Sequence, residues 1–176
     1  MLNGLKNLPG GIAVRPARKS DSPFLRKISD DKFSALKEHP KLSRDQVEHL
    51  MEMQLLAQSG AYGEMFPNAA YFIVEKNGQS IGKLSLEWDG ESARLVDLGF
   101  VQKAQGKGFG KIIIRALVAA CDQGKCPLIV TCPVTKPALM AFLQSYDFIP
   151  VSDPAGAAHI LMKRDISQMP VSAPRQ

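Results

Sequence analysis

At 176 residues the chain has the length of a single domain, long enough to bury about two-thirds of the surface its unfolded form exposes. Its apolar fraction of 45% and charged fraction of 22% are ordinary for a globular protein, and no stretch approaches the ~20 unbroken apolar residues of a membrane span, so a soluble protein is expected. The net charge of +5 and pI near 9.2 suit an anionic ligand, but the Lys and Arg residues are scattered and form no dense run like those of nucleic-acid-binding arms.

The N-terminal MLNGLKNLPGGIAV has too short an apolar stretch for a signal peptide, and Cys121, Cys126 and Cys132 are odd in number, which fits a reducing cytoplasm. Residues 1–11 read as a flexible segment, 12–165 as the domain and 166–176, with two prolines and no apolar period, as a tail. Ile12 to Ala17 predicts a first strand, and Ser20-Asp21-Ser22-Pro23 the start of a helix. Ser43-Arg44-Asp45-Gln46 is a capping box opening a second helix that ends before Gly60. Val47, Leu50, Met51, Gln54 and Gln58 share one of its faces, apolar early and polar late. AAYFIVEK and SIGKLSLEW flank Asn77-Gly78, a strong hairpin signal, and Asp89-Gly90 turns the chain into ARLVDLGFV, giving three antiparallel strands.

A helix follows from Gly108 to about Asp122, with Ile112, Ile113, Leu117 and Ala120 as its expected buried side. PLIVTCPV, almost wholly apolar, predicts a strand buried on both faces in parallel pairing. Thr135 and Pro137 open a last helix running to about Tyr146, and FIPVS and HILMKR form a closing pair of strands. The order is that of a mixed α/β domain in which a glycine-rich turn, Gln105 to Gly110, joins a central strand to a helix.

That turn has three readings. It is a plain corner; or, since Lys107-Gly108-Phe109-Gly110 matches the start of an RNA-recognition octapeptide, it reads RNA; or it cradles a phosphate. The RNA reading needs aromatics along a strand, whereas Lys111 and Ile114 stand at the stacking positions and the following spacing is helical. A glycine turn between strand and helix instead directs free N–H groups and the positive end of the helix dipole at one point, with Lys107 and Lys111 at the rim. A phosphate cradle is the best physical reading. The spacing fits neither the dinucleotide fingerprint nor the P-loop.

In this setting Gln105-Gly106-Lys107-Gly108-Phe109-Gly110 resembles the hallmark of the GNAT superfamily of acyl-CoA-dependent N-acyltransferases, Arg/Gln-x-x-Gly-x-Gly/Ala. The element order from Ile12 to about Arg164 is similar to that of the superfamily. The run Arg94 to Gly106 resembles a bacterial branch, as does Met53-Gln54-x-x-Ala57-Gln58. The resemblance implies a mixed, mostly antiparallel twisted sheet, splayed near its fourth strand, with helices on both faces. It implies acetyl-CoA as co-substrate, a primary amine of a small molecule or peptide as acceptor, and direct transfer in a ternary complex. By the same resemblance, backbone groups of Phe100 and Val101 hold the pantetheine arm, amides from Gln105 to Gly110 hold the pyrophosphate, and a homodimer is allowed. The rival from another class is a non-catalytic acyl-CoA-binding or regulatory module.

Many superfamily members carry Asn-Pro-Ala-x-x-x-Tyr next, the tyrosine serving as general acid. Here Lys136-Pro137-Ala138 puts Phe142 at that position, and Tyr146 is the nearest phenol. With a thiol pKa of about 8.5 against about 10.4 for an alkylamine, the thiolate leaves with little help. The amine needs a base, and Asp97, inside the apolar run Leu95 to Val101, is the candidate; burial is expected to raise its pKa, unless a neighbouring cation or N–H holds it structurally. Glu87 is expected to be solvated, and Glu64 has still less support as a base. Gln54 and Gln58 face either an acceptor cleft or solvent. His39, His49 and His159 lie in different elements without partners at ligand spacing, so no metal is expected, and Cys132 reads as a small buried hydrophobe.

Overall fold

The computed structural model describes residues 5–32, 69–152 and 159–165. The expected helix after Ser43, with Gln54 and Gln58, the loop around Glu64, His39, His49 and the tail from 166 lie outside those residues. β1 (Ile12–Pro16) leads through a 3-10 turn (Lys19–Asp21) into α1 (Ser22–Lys32). After the undescribed stretch come β2 (Ala70–Lys76), β3 (Gln79–Trp88) and β4 (Ala93–Phe100), then α2 (Phe109–Gly124), β5 (Leu128–Pro133), α3 (Pro137–Gln144), β6 (Ile149–Ser152) and β7 (His159–Arg164).

The strands form one sheet in the order β1-β2-β3-β4-β5-β7-β6, antiparallel throughout except for β4 beside β5. The hairpin at Asn77-Gly78 forms because both residues take positive φ (49° and 77°), the turn whose twist suits two antiparallel strands. At the second turn the Asp89 carboxylate accepts the N–H groups of Glu91 and Ser92 and the Ser92 hydroxyl. Those bonds, the Ser92 N–H foremost, pull its pKa down to about 2.

α1 and α2 lie on opposite faces. A Cβ on Gly99 would meet Ile28 of α1 at 3.5 Å, whereas a Cβ on Gly110 of α2 would meet Leu98 and Phe100, the alternate residues of β4, at 3.8 Å. α1 is anchored by Arg15, whose guanidinium donates two bonds to the buried Asp21 carboxylate (2.7 and 2.8 Å) and one to Glu75 (2.6 Å). Asp21 also accepts the Arg18 N–H. At the other end of the sheet, the buried Arg164 of β7 pairs with Asp122 of α2 and donates to the Tyr146 carbonyl (2.8 Å) beyond α3.

Some expectations shift in detail. The apolar stripe of α2 comprises Ile113, Ile114, Leu117, Val118, Ala120 and Cys121, while Ile112 is only partly buried and borders a surface cleft with Leu8 and Pro9. β5 is not buried on both faces: it alternates, with Thr131 exposed, as antiparallel strands do, since it pairs along its whole length with antiparallel β7 and over only three residues with parallel β4. Leu5 is fully buried in the core, and Leu8 N–H donates to Ile12 O.

Candidate functional site

The site begins with a break in the sheet. β4 and β5 pair over three positions only, Ala93 to Leu95 against Leu128 to Val130. At the same point β4 carries a bulge: Ser85 faces Asp97 and Leu86 faces Leu95, so Val96 is an extra residue. Beyond it β4 stays on β3 to Phe100, whereas β5 continues with β7, and the two strands open into a wedge.

The register decides which backbone groups face that wedge. Val101 N–H donates to Ile81 O (3.0 Å). In an antiparallel ladder the bonded pairs alternate, so Gly82 and Phe100, and likewise Leu84 and Leu98, are unbonded pairs. The N–H and C=O groups of Leu98 and Phe100 therefore point away from β3, into the wedge. Both groups of Val101 are engaged, its carbonyl by the Ala104 N–H.

The turn at the wedge mouth is shaped by its glycines. Gly106 and Gly108 have φ of 71° and 82°, a backbone region costly for residues with a Cβ, and a Cβ built on either meets nothing within 4 Å. The space a side chain would take there is open. Gln105 stabilises the approach: its side-chain amide donates to Phe100 O (3.0 Å) and its own N–H to Gln102 O (3.1 Å). The first N–H used inside α2 is that of Ile112, to Gly108 O, which leaves those of Phe109, Gly110 and Lys111 directed out of the helix start. Lys107 and Lys111 are exposed beside them.

α3 forms the far wall. Phe142 is buried with the Lys111 ammonium 5.2 Å above its ring, so it flanks the first turn of α2. Tyr146 lies past the end of α3 and packs on Phe142 (5.2 Å between centroids) and on Arg115, one helical turn further along α2. The phenol is thus displaced from the cradle by a turn.

Asp97 sits at the bulge on the α1 face, about one-fifth exposed, with its carboxylate 2.9 Å from the Lys83 ammonium. The apolar burial expected around it is replaced by an ion pair. Glu87 is sheltered rather than solvated: it lies opposite Arg94, with 3.9 Å between charged atoms. All three cysteines are buried; burial raises the Cys132 thiol, and burial followed by the neighbouring Cys126 raises Cys121 to about 12, so neither supplies a ready thiolate. Among the described residues no group of three His, Cys, Asp or Glu could hold a metal, and no helix is long and apolar enough to cross a membrane.

Sequence reasoning did not find Lys83, the Leu98 backbone groups, the Gln105 side-chain bond or Arg115. Lys83 had one visible signal, a lysine amid the apolar run of β3. The outward direction of the Leu98 groups follows from the strand register, which no residue type announces.

The model of the acetyltransferase (GNAT) family matches residues 26–148, and the chain belongs to that family. Solved structures share its fold at low identity. The PaiA N-acetyltransferase from Thermoplasma acidophilum, in complex with coenzyme A, is 14% identical (TM-score 0.58, covering 88% of this chain and 98% of that one). The ribosomal-protein alanine N-acetyltransferase from Escherichia coli is 13% identical (TM-score 0.59, 93% and 99%). A spermidine N-acetyltransferase mutant from Vibrio cholerae is 18% identical (TM-score 0.55, 88% and 93%). No curated protein matches the sequence.

Proposed function

We propose that this chain is an N-acetyltransferase that moves the acetyl group of acetyl-CoA to a primary amine of a small molecule or peptide, by direct transfer in a ternary complex. The observation that carries the reading is the glycine turn at the mouth of the β4/β5 wedge, positive in φ at Gly106 and Gly108 and open where a side chain would stand. Those positions fit a pyrophosphate, which needs close backbone approach, converging N–H donors and positive charge. The N–H groups from Gly106 to Lys111, with Lys107, would hold it. The wedge-facing N–H and C=O of Leu98 and the N–H of Phe100 would hold the pantetheine arm. Bound there, acetyl-CoA supplies the thioester as electrophile.

The remaining chemistry falls to the chain. An alkylamine at pH 7 is neutral in only on the order of one molecule in a thousand, so a proton acceptor is needed. Asp97, at the bulge where the wedge opens, takes that proton directly or through a water, and Lys83 fixes the carboxylate in place. Among the described residues no phenol flanks the first turn of α2, so the thiolate departs without Tyr146. The burial of all three cysteines supports transfer without an acyl-cysteine. Neighbours named for spermidine and for a ribosomal-protein alanine support amines of both kinds as acceptors.

Acetyl-CoA should raise the melting temperature of the wild type, and Gly108→Glu, which puts bulk and negative charge into the cradle, should abolish that shift. An undiminished shift in the variant overturns the assignment. Free-thiol release over a panel of amines and peptides then separates an enzyme from a binding module, which would show the thermal shift alone.

A further inference from the structure

α2 turns two cations toward α3, four residues apart and so about 6 Å apart along the helix axis. Lys111 lies over Phe142, and the Arg115 guanidinium lies 5.9 Å from the centroids of both Phe142 and Tyr146. The two rings pack on each other, so Arg115 rests on a preformed aromatic floor that limits its orientations while leaving it exposed. Among the described residues neither cation has a carboxylate within ion-pair distance. Because α2 follows β4 and α3 follows the diverging end of β5, both helices start beyond the strand ends that open the wedge.

Coenzyme A carries a second anionic group, a phosphate on the 3′ oxygen of its adenosine ribose, separated from the pyrophosphate by that one sugar ring. A pyrophosphate at the start of α2 would lie beside Lys111, and the next cation on the same side of that helix is Arg115. We propose that Arg115, seated on Phe142 and Tyr146, receives the 3′-phosphate of coenzyme A, so that the chain selects the 3′-phosphorylated cofactor over its dephospho form. The planar guanidinium suits the terminal phosphate, to which it can donate two parallel bonds. The assignment rests on the coenzyme A reading above and gives Tyr146 a positioning role in place of an acid–base one.

Isothermal titration of the full chain with coenzyme A and with dephospho-coenzyme A tests it. The wild type is expected to bind coenzyme A at least about tenfold more tightly, the worth of roughly one charge-assisted contact. Arg115→Gln removes that preference by weakening coenzyme A alone, Arg115→Lys keeps part of it, and Lys111→Gln weakens both ligands alike. If the wild type binds both ligands equally, or Arg115→Gln weakens both in the same proportion, the arginine assignment is overturned while the coenzyme A reading stands. If neither ligand binds the wild type, both fall. Thermal melts of the exposed-site variants establish that each remains folded.

Discussion

Asp97 shows how one neighbour changes the meaning of a residue. A carboxylate in the run Leu95 to Val101 reads as apolar and desolvated, yet a bulge and the lysine of the adjacent strand give it a partner at 2.9 Å. The ion pair fixes where the carboxylate points, which a proton acceptor requires as much as a suitable pKa. Asp97→Asn keeps the shape and removes the charge. It should lower kcat by about a hundredfold, within the range typical of general bases, with little change in KM for acetyl-CoA. Unaltered kcat with an unaltered pH profile would remove Asp97 from the mechanism. Tyr146, by contrast, is the nearest phenol in sequence only. A shift of four residues on or just beyond a helix carries a group a full turn along the axis, enough to place it with Arg115 instead of the cradle.

Among the elements, β4 borders the wedge on one side and lies close against β3 at Gly82 on the other. A Cβ there would meet Gly99 O at 2.6 Å and the Phe100 ring at 2.7 Å, so the aromatic ring covers the bare backbone of β3. Gly82→Ala should therefore cost about 1–3 kcal/mol as overpacking and lower the melting temperature, read by a thermal melt. A melting temperature at or above the wild-type value would show that the contact relaxes freely. The element order and the three-strand meander were legible because Asn77-Gly78, Asp89-Gly90 and the shift from period 2 to period 3.6 after Gly108 are local signals. The shape of the glycine turn was legible for the same reason, since Gly106 and Gly108 take the positive φ that glycine readily adopts. What escaped was pairwise and distant. The end of the β4–β5 pairing at Val130, the bulge at Val96 and the Arg15–Asp21–Glu75 cluster depend on partners far along the chain, or on a register that only the assembled sheet defines.

Over the whole molecule, two carboxylates tie stability to acid. The Arg15 guanidinium, with the Arg18 N–H, holds Asp21 well below the usual carboxylate range, and the Asp89 turn sits at about 2. Both pKa values are depressed from an unfolded value near 3.9, so between those limits the unfolded chain binds more protons than the folded one. Their stabilisation is fully present above about pH 4 and is lost as the pH falls toward 2 and below. Denaturant titrations at pH 5, 4, 3 and about 2 should show a declining midpoint, with less decline in Asp89→Asn. Equal slopes in the two proteins would remove Asp89 from the acid response. The wedge has a different consequence at this scale. By parting from β5 after three pairs, β4 becomes a central strand with the chemistry of a sheet border, its Leu98 and Phe100 amides and carbonyls unmatched by a neighbouring strand. Borders of that kind invite strand addition and aggregation. A pantetheine arm lying along β4 would complete the sheet in place of an eighth strand, so the loading of a substrate would also shield the fold against self-association.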